Sequence, residues 1–437
     1  MKMRSSLIAM TGAALLGACG HEAELPLEAT VGQEPQLTTP ADNVVPTLNI
    51  AEAEGWPDGR MPEPAVGTEV SVFADDLLNP RWLYELPNGD ILVAESKAPA
   101  GSSPDGLKSW VAGMVQSDAT SDVRNANRIT LLRDSNNDGE VDERHIFLHD
   151  LYSPYGMALV GDYLYVANAN SLVRFPYQSG QNMISEPPEL VQDLTLGSIN
   201  HHWTKSLLAS PDGEHLYIGI GSNSNVAENG MDEENGRAAI WEIEVATGEP
   251  RIYAEGLRNP VGMTWHPQTG ELWVSVNERD ELGSDLVPDY LTSVEEGGFY
   301  GWPWRYWGNN VDPRVEEPMP YTEDEVLEPD YALGAHTASL GLDWIGNEAG
   351  LPAPFANGML VGQHGSWNRD PLSGYKVIFV PFENGEPAGD PVDLLTGFLS
   401  DDETLAYGRP VGVLVEDSGA VLVADDVGGR VWRVEGS

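Results

Sequence analysis

The chain reads as an all-β protein, a six-bladed β-propeller, and three observations predict it. A short apolar strand, a Gly-containing or polar turn and a second strand of the type LxV recur six times. The second strands are ILVAE (91–95), LYVAN (164–168), LYIGIG (216–221), LWVSVN (272–277), MLVGQH (359–364) and VLVADD (421–426). With Leu92, Tyr165, Tyr217, Trp273, Leu360 and Leu422 as equivalents, the separations are 73, 52, 56, 87 and 62 residues. Periods of that size in a Gly-rich, turn-rich chain mean a radial array of small sheets. The segments leading into the first strands repeat as well: NPRWL (79–83), SPYGM (153–157), NHHWTKSL (200–207), RNPVGM (258–263), HTASLGL (336–342) and GRPVGV (408–413).

In chain order, residues 1–18 read as a secretory leader. Lys2 and Arg4 form a positive n-region, 7–16 is an apolar run too short to span a bilayer, and Leu16-Gly17-Ala18-Cys19 is a small-residue cleavage site. This looks like a bacterial lipoprotein signal, in which Cys19 would carry a lipid anchor at the periplasmic side, on the outer membrane. Cys19 is the single cysteine, so no internal disulfide forms. Residues 19–65, rich in Pro, Glu, Thr and Ala, read as a disordered, lipid-anchored tether. The propeller is expected over 66–437. Three stretches interrupt the repeat: 97–127 inside the first blade, 278–308 leaving the fourth, and the proline-rich 309–335 before the fifth. Trp302, Trp304, Tyr306 and Trp307 in the second stretch suit either packing of that loop or stacking on a sugar ring.

Of the 437 residues, 41% are hydrophobic, enough for a substantial core. The 69 acidic against 23 basic residues give a formal charge of −46. A field of that sign repels nucleic acid and anionic membrane surface. Basic side chains at a functional rim are correspondingly informative.

In a propeller the innermost strands converge on the axis, so the six leading segments ring one mouth. Arg81, Tyr155, His202, Lys205, Arg258, Asn259, Thr337 and Arg409 are then neighbours, and the cations among them would attract an anion such as a small polycarboxylate. His202, beside Lys205 and Arg258, would have a depressed pKa and a neutral ring able to take a proton, unless it is simply a hydrogen-bonded structural residue. Asn277-Glu278-Arg279-Asp280, with Asp285 shortly after, offers carboxylates and carbonyls for a hard cation. Asp134 to Asp142 resembles a calcium loop, but its twelfth position is His145 where a Glu is needed. Nucleotide loops, nucleophile elbows and zinc-spaced clusters are missing from the sequence.

HWTK with SPDGEHLYIGIGSNSN, GLRNPVGMTWHP, VNERDELGSDLVPDYLTSV, GGFYGWP, GQHGSWNR, SGYKV and GRPVGV together resemble the sorbosone dehydrogenase family, over roughly residues 70–435. That family belongs to the quinoprotein aldose dehydrogenases, and the resemblance implies pyrroloquinoline quinone and calcium as cofactors. It implies His202 as general base and Arg258 as the group polarising the quinone. It implies Asn259, Asn277 and Arg409 at the cofactor and the backbone carbonyls of Glu278 and Arg279 at the metal; their places at the same mouth add Arg81, Lys205, Thr337 and His364 to the cofactor set and Asp285 to the metal set. The expected activity is oxidation of an aldose or sorbosone-like sugar aldehyde, with electrons passed to a cytochrome or quinone pool. His364 and Trp367-Asn368-Arg369, where soluble glucose dehydrogenase supplies a lysine, argue against glucose. A calcium lactonase built on Glu95, Asn168 and Asp425, and a binding propeller without chemistry, are the competing expectations.

Overall fold

A computed structural model describes residues 22–41, 47–99, 125–197 and 199–437. The leader, Cys19 and most of the 97–127 stretch lie outside the described residues. Six antiparallel sheets surround one axis. Blade 1 is Pro80–Glu85, Ile91–Glu95, Arg128–Arg133 and Glu143–Leu148; blade 2 is Met157–Val160, Tyr163–Ala167, Ser171–Pro176 and Glu189–Asp193. Blade 3 is Lys205–Ala209, His215–Ile220, Ala239–Glu244 and Pro250–Glu255; blade 4 is Pro260–Trp265, Leu272–Val276, Pro288–Ser293 and Tyr331–Ala335. Blade 5 is Ser339–Ile345, Gly358–Gln363, Lys376–Glu383 and Val392–Thr396. Blade 6 takes Pro410–Val415, Val421–Asp425 and Arg430–Gly436 from the C-terminal end and its outer strand, Thr68–Ala74, from before blade 1. That pairing closes the ring. Helix is confined, among the described residues, to three short 3-10 turns.

The LxV strands are the second strands, and Ile91–Glu95, Leu272–Val276 and Val421–Asp425 are buried at every position. Both of their faces meet a neighbouring blade, so apolar residues run without alternation. The core is accordingly a set of six clusters, each wedged between consecutive blades. At the axis the glycines of the leading motifs let inner strands touch backbone to backbone. A Cβ on Gly262 would sit 2.5 Å from the Leu340 carbonyl oxygen of the next blade, one on Gly412 2.8 Å from that of Arg81, and one on Gly341 would collide with that of Val411.

Two expectations need correction. The supposed tether is docked wherever it is described. Val31–Gly32 adds to the outer edge of blade 4, Glu63–Pro64 to that of blade 5, and Glu52–Ala53 runs parallel to Leu405–Ala406. Ala51 and Thr30 are buried, and Trp56 packs among Phe398, Tyr407 and Trp432. Unpaired edges offer hydrogen bonds that even an aperiodic, proline-rich segment can accept. The stretch 278–308 is likewise no simple insertion, because it contains the third strand of blade 4.

At the mouth opposite the leading motifs, Glu85 accepts from the Asp417 amide and Asp343 from those of Val415 and Trp344. Burial pushes Glu85 up to about 7 and Asp343 up to about 6. A carboxyl with a raised folded-state pKa contributes stability below its unfolded value of about 4 and loses it as pH rises through the folded value. Glu85→Gln should therefore gain thermal stability relative to the parent as pH climbs from about 5 to about 8; a constant difference in melting midpoint contradicts this. Gly341→Ala should cost about 3 kcal/mol or more, read by urea unfolding, and a neutral effect would refute the backbone contact at the axis.

Candidate active site

The loops between inner and second strands' open ends form the site mouth. His202 lies in the irregular approach to Lys205–Ala209 and is half-buried. Its Nδ1 is 2.9 Å from the Ser222 carbonyl oxygen and 3.0 Å from Ser222 Oγ, whose own proton goes to Ser224 O at 2.6 Å. A carbonyl can only accept, so Nδ1 carries the hydrogen and Nε2 keeps its lone pair. Burial, then the positive Arg258, hold the imidazole well below its ordinary value. The ring is thus neutral and basic at one known atom.

Arg258 is buried, and its five donors are engaged. Nε donates to Asn225 O (3.3 Å), Nη1 to Asn277 O (3.4 Å) and Glu278 O (2.5 Å), and Nη2 to Asn225 Oδ1 (3.0 Å) and Asp280 Oδ2 (3.1 Å). It has no donor left to polarise a ligand, contrary to the expectation from resemblance. Arg81 pairs with Asp426 at 2.9 Å, which also meets His364 Nε2 at 3.0 Å. The mouth is therefore less cationic than the sequence implied: Asp280 and Asp426 each offset an arginine. Against the penalty of burial, Arg258 brings Asp280 down to about 2, and Arg81 with His364 holds Asp426 far below the carboxylate range.

Arg409 is the exception. It is 2% exposed, its Nη2 donates to Tyr375 Oη at 2.9 Å, and its guanidinium lies 4.8 Å over the Tyr375 ring. Its Nε has no partner, and among the described residues no carboxylate lies within ion-pairing distance. Arg81 Nε, Tyr155 Oη and Asn259 Oδ1 are also buried without partners. Unfilled polar atoms of this kind are open to a ligand or to water.

The other expected residues are spent inside the protein. Lys205 is wholly buried and reaches only oxygens of its own loop. Thr337 Oγ1 donates to Asp289 at 3.1 Å, and Asn277 Nδ2 donates to Ser339 O. Glu278 and Asp312 clamp the buried Arg279 guanidinium at 2.8 and 3.2 Å, with Tyr306 beneath it. Asp285 accepts the Glu24 and Leu25 amides at 2.6 and 3.2 Å, so it anchors the N-terminal segment. Glu278 O is occupied by Arg258, and among the described residues no three acidic, His or Cys side chains are placed for a metal. The Asp134 carboxylate caps its own loop, accepting from Asn136, Asp138 and Gly139 amides. Trp302 and Trp307 are buried in loop packing, Trp302 bonding Asn225 O at 3.0 Å.

The lactonase constellation does not assemble. Glu95 binds Arg128 at 2.7 Å and the Leu78 amide at 2.5 Å; Asn168 accepts from Tyr152; Asp425 accepts from Trp56, Trp432, Arg409 and Gly428. Sequence reasoning missed Asp426, Asn225 and His336, and it offered Asp280 to a cation where the structure gives it to Arg258 and Asn368. Asn368 Nδ2 bridges Asp280 (2.8 Å) and His336 Nδ1 (3.2 Å). The second aspartate of VLVADD was the available signal for Asp426.

Fold and site together define a six-bladed propeller whose mouth combines an unpaired buried arginine with a neutral histidine. A family model described as TrAA12-like matches residues 62–289 and 320–437, and the chain belongs to that family. An uncharacterized protein of Borreliella burgdorferi is 32% identical over 222 residues, 50% of this chain and 56% of that protein. A pyrroloquinoline quinone-dependent pyranose dehydrogenase of Coprinopsis cinerea is 24% identical over 297 residues, 54% of this chain and 40% of that protein. The chain thus spans about half the length, or less, of these curated relatives. The iodide structure of the Trichoderma reesei family AA12 enzyme aligns at a TM-score of 0.68 and 19% identity, covering 91% of this chain and all (100%) of that one. The holo form of the pyranose dehydrogenase PQQ domain from Coprinopsis cinerea aligns at 0.67 and 19%, covering 88% and 100%. These likenesses show the fold.

A Cβ at Gly221 would lie 2.5 Å from His202 Cβ and collide with Asn259 Oδ1. Gly221→Ala should leave the blades folded but shift the His202 imidazole signals in an NMR spectrum; unchanged signals would show that Gly221 does not set the ring's position.

Proposed function

We propose that this chain is a pyrroloquinoline quinone-dependent oxidoreductase that oxidises an aldose or sugar aldehyde at its anomeric or aldehyde carbon. The observation that carries the reading is Arg409, a buried guanidinium with unfilled donors at the propeller mouth. When bound, the quinone supplies a hydride acceptor and several carboxylates. Arg409 and Arg81, each with an unbonded Nε, suit those carboxylates, and Asn259 Oδ1 suits a ring N–H. His202 Nε2 would take the proton of the anomeric hydroxyl, or of a hydroxyl of the hydrate where the substrate is an aldehyde, as hydride leaves that carbon. Burial and then Arg258 keep that nitrogen unprotonated, and Arg258 holds the 277–280 turn.

A relative's name as a pyranose dehydrogenase supports a sugar substrate, and a sorbosone-like aldehyde remains within the proposal. The residues named for calcium do not fit one, since Glu278 O serves Arg258 and Asp285 serves the N-terminal segment, so no step is routed through a metal. Export, lipid attachment at Cys19 and residence at the periplasmic face of the outer membrane rest on residues 1–19 alone. The acidic surface suits a cationic electron acceptor such as a basic cytochrome.

His364 is the second candidate base, because its Nε2 faces the Asp426 carboxylate and Nδ1 is left as acceptor. Quinone titration and dye reduction by a sugar panel separate the roles. Arg409→Ala should weaken quinone binding by roughly 2–4 kcal/mol. His202→Ala should keep binding and lower turnover roughly 100- to 10,000-fold. The same pattern in His364→Ala with an active His202→Ala enzyme would transfer the role of base to His364. Lactone hydrolysis without dye reduction would sink the dehydrogenase reading altogether.

A further inference from the structure

The described residues Leu196, Gly197 and Ile199–Thr204, which include His201 and His202, turn polar atoms inward onto two buried cations. Lys205 Nζ contacts Asn200 Oδ1 (3.4 Å), His202 O (3.1 Å), Trp203 O (3.2 Å) and Thr204 O (3.3 Å). Arg237 donates from Nε to Leu196 O (2.9 Å), from Nη2 to Ile199 O (3.1 Å), and from Nη1 to Asn200 Oδ1 and Gly221 O (both 3.2 Å). Lys205 is 0% and Arg237 5% exposed, and among the described residues neither forms an ion pair with a carboxylate. Asn200 Oδ1 bridges them. In a chain with only five lysines, placing one here without a direct ion pair is costly: Glu234 and Glu233 offset part of the Arg237 charge from the far side, and aligned dipoles must solvate the rest.

We infer that Lys205 and Arg237 form a built-in cation pair that organises the backbone around Leu196, Ile199, Asn200 and His202–Thr204, with Arg237 supplying part of the positive field under His202, making them positioning residues for the proposed base. The inference rests on the proposed role of His202 for its catalytic consequence, but its electrostatic content does not. Burial, then Arg237, push the Lys205 amine below its ordinary value. Its four neighbours are nonetheless all oxygen acceptors, which an ammonium with three donors satisfies and a neutral amine would face with a lone pair. Arg258 and His201 add to the same field at His202, as does Arg237, while Asp280 and Glu228 oppose it on the His201 side.

Asn200→Asp tests the field with little change of shape. It keeps an oxygen between the two cations, adds a negative charge, and loses only the bond from Asn200 Nδ2 to Ala169 O. Arg237→Lys keeps the charge and loses the fork. His202 is titrated by NMR in the protein without quinone or sugar, so the result does not depend on the dehydrogenase reading. Asn200→Asp should raise the His202 pKa by about one pH unit, and Arg237→Lys should leave it near the parent's. A titration unmoved in Asn200→Asp, or moved as far by Arg237→Lys, overturns the inference. The acid limb of kcat/KM for sugar oxidation should shift with the titration. A shifted titration with an unshifted limb would support the cation pair while removing His202 as base.

Discussion

Everything in this molecule hangs on how closely the inner strands approach at the axis. Gly262, Gly341 and Gly412 stand where the next blade's carbonyls press in, and Gly156 does the same against Leu207. A side chain at any of these points would push neighbouring blades apart and open the six interblade clusters that make up the core. The narrow hub has a second consequence. With neighbouring inner strands in backbone contact, the polar groups gather at a mouth, on the segments that lead into the inner strands and the residues that end the second ones.

Those segments are irregular, and the chain fixes them with buried charge more than with apolar packing. Glu95, Asp289 and Asp425 each accept backbone N–H groups from the strand approaches, Asp289 from Glu278 and Ser339 at 2.9 Å each. Arg237, Arg258 and Lys205 perform the complementary task for carbonyls. Such charges are stabilising only because every loop dipole around them is oriented, which makes the mouth rigid and leaves few polar atoms over. Arg409 is informative for that reason: like Arg81 it keeps an empty Nε donor, and unlike Arg81 it has no carboxylate partner among the described residues.

The fold was legible because two signals agree, the LxV pattern of the second strands and the repeated segments that lead into the first ones. The docked N-terminal segment was not, since its composition has no period and its hydrogen bonds exist only once blades 4 and 5 present open edges. The third strand of blade 4 was hidden because PDYLTS carries Asp289, whose carboxylate points into the site and breaks the apolar pattern. At the site, residue types were readable and partnerships were not. Arg258, Lys205 and Arg409 look alike in sequence, yet one is saturated by a turn, one by its own loop, and one is left unfilled.

A net charge of −46 would by itself raise the pKa of any histidine, so a neutral His202 needs a local explanation. The acidic side chains are mostly at the surface, where salt screens them beyond about 8–10 Å. Arg258 acts within the low-dielectric mouth, Arg237 beneath it, and neither is screened to the same degree. Asp280 and Asp426, the carboxylates at the mouth, are each bound to an arginine, so their fields largely cancel before reaching the imidazole. The hydrogen bond from Nδ1 to Ser222 O then fixes which nitrogen is bare. Burial first and the arginine charges second set the protonation state, and the bond to Ser222 O sets the reactive atom, so the decisive charge and hydrogen-bond partner come from residues outside the leading motif that carries the histidine itself.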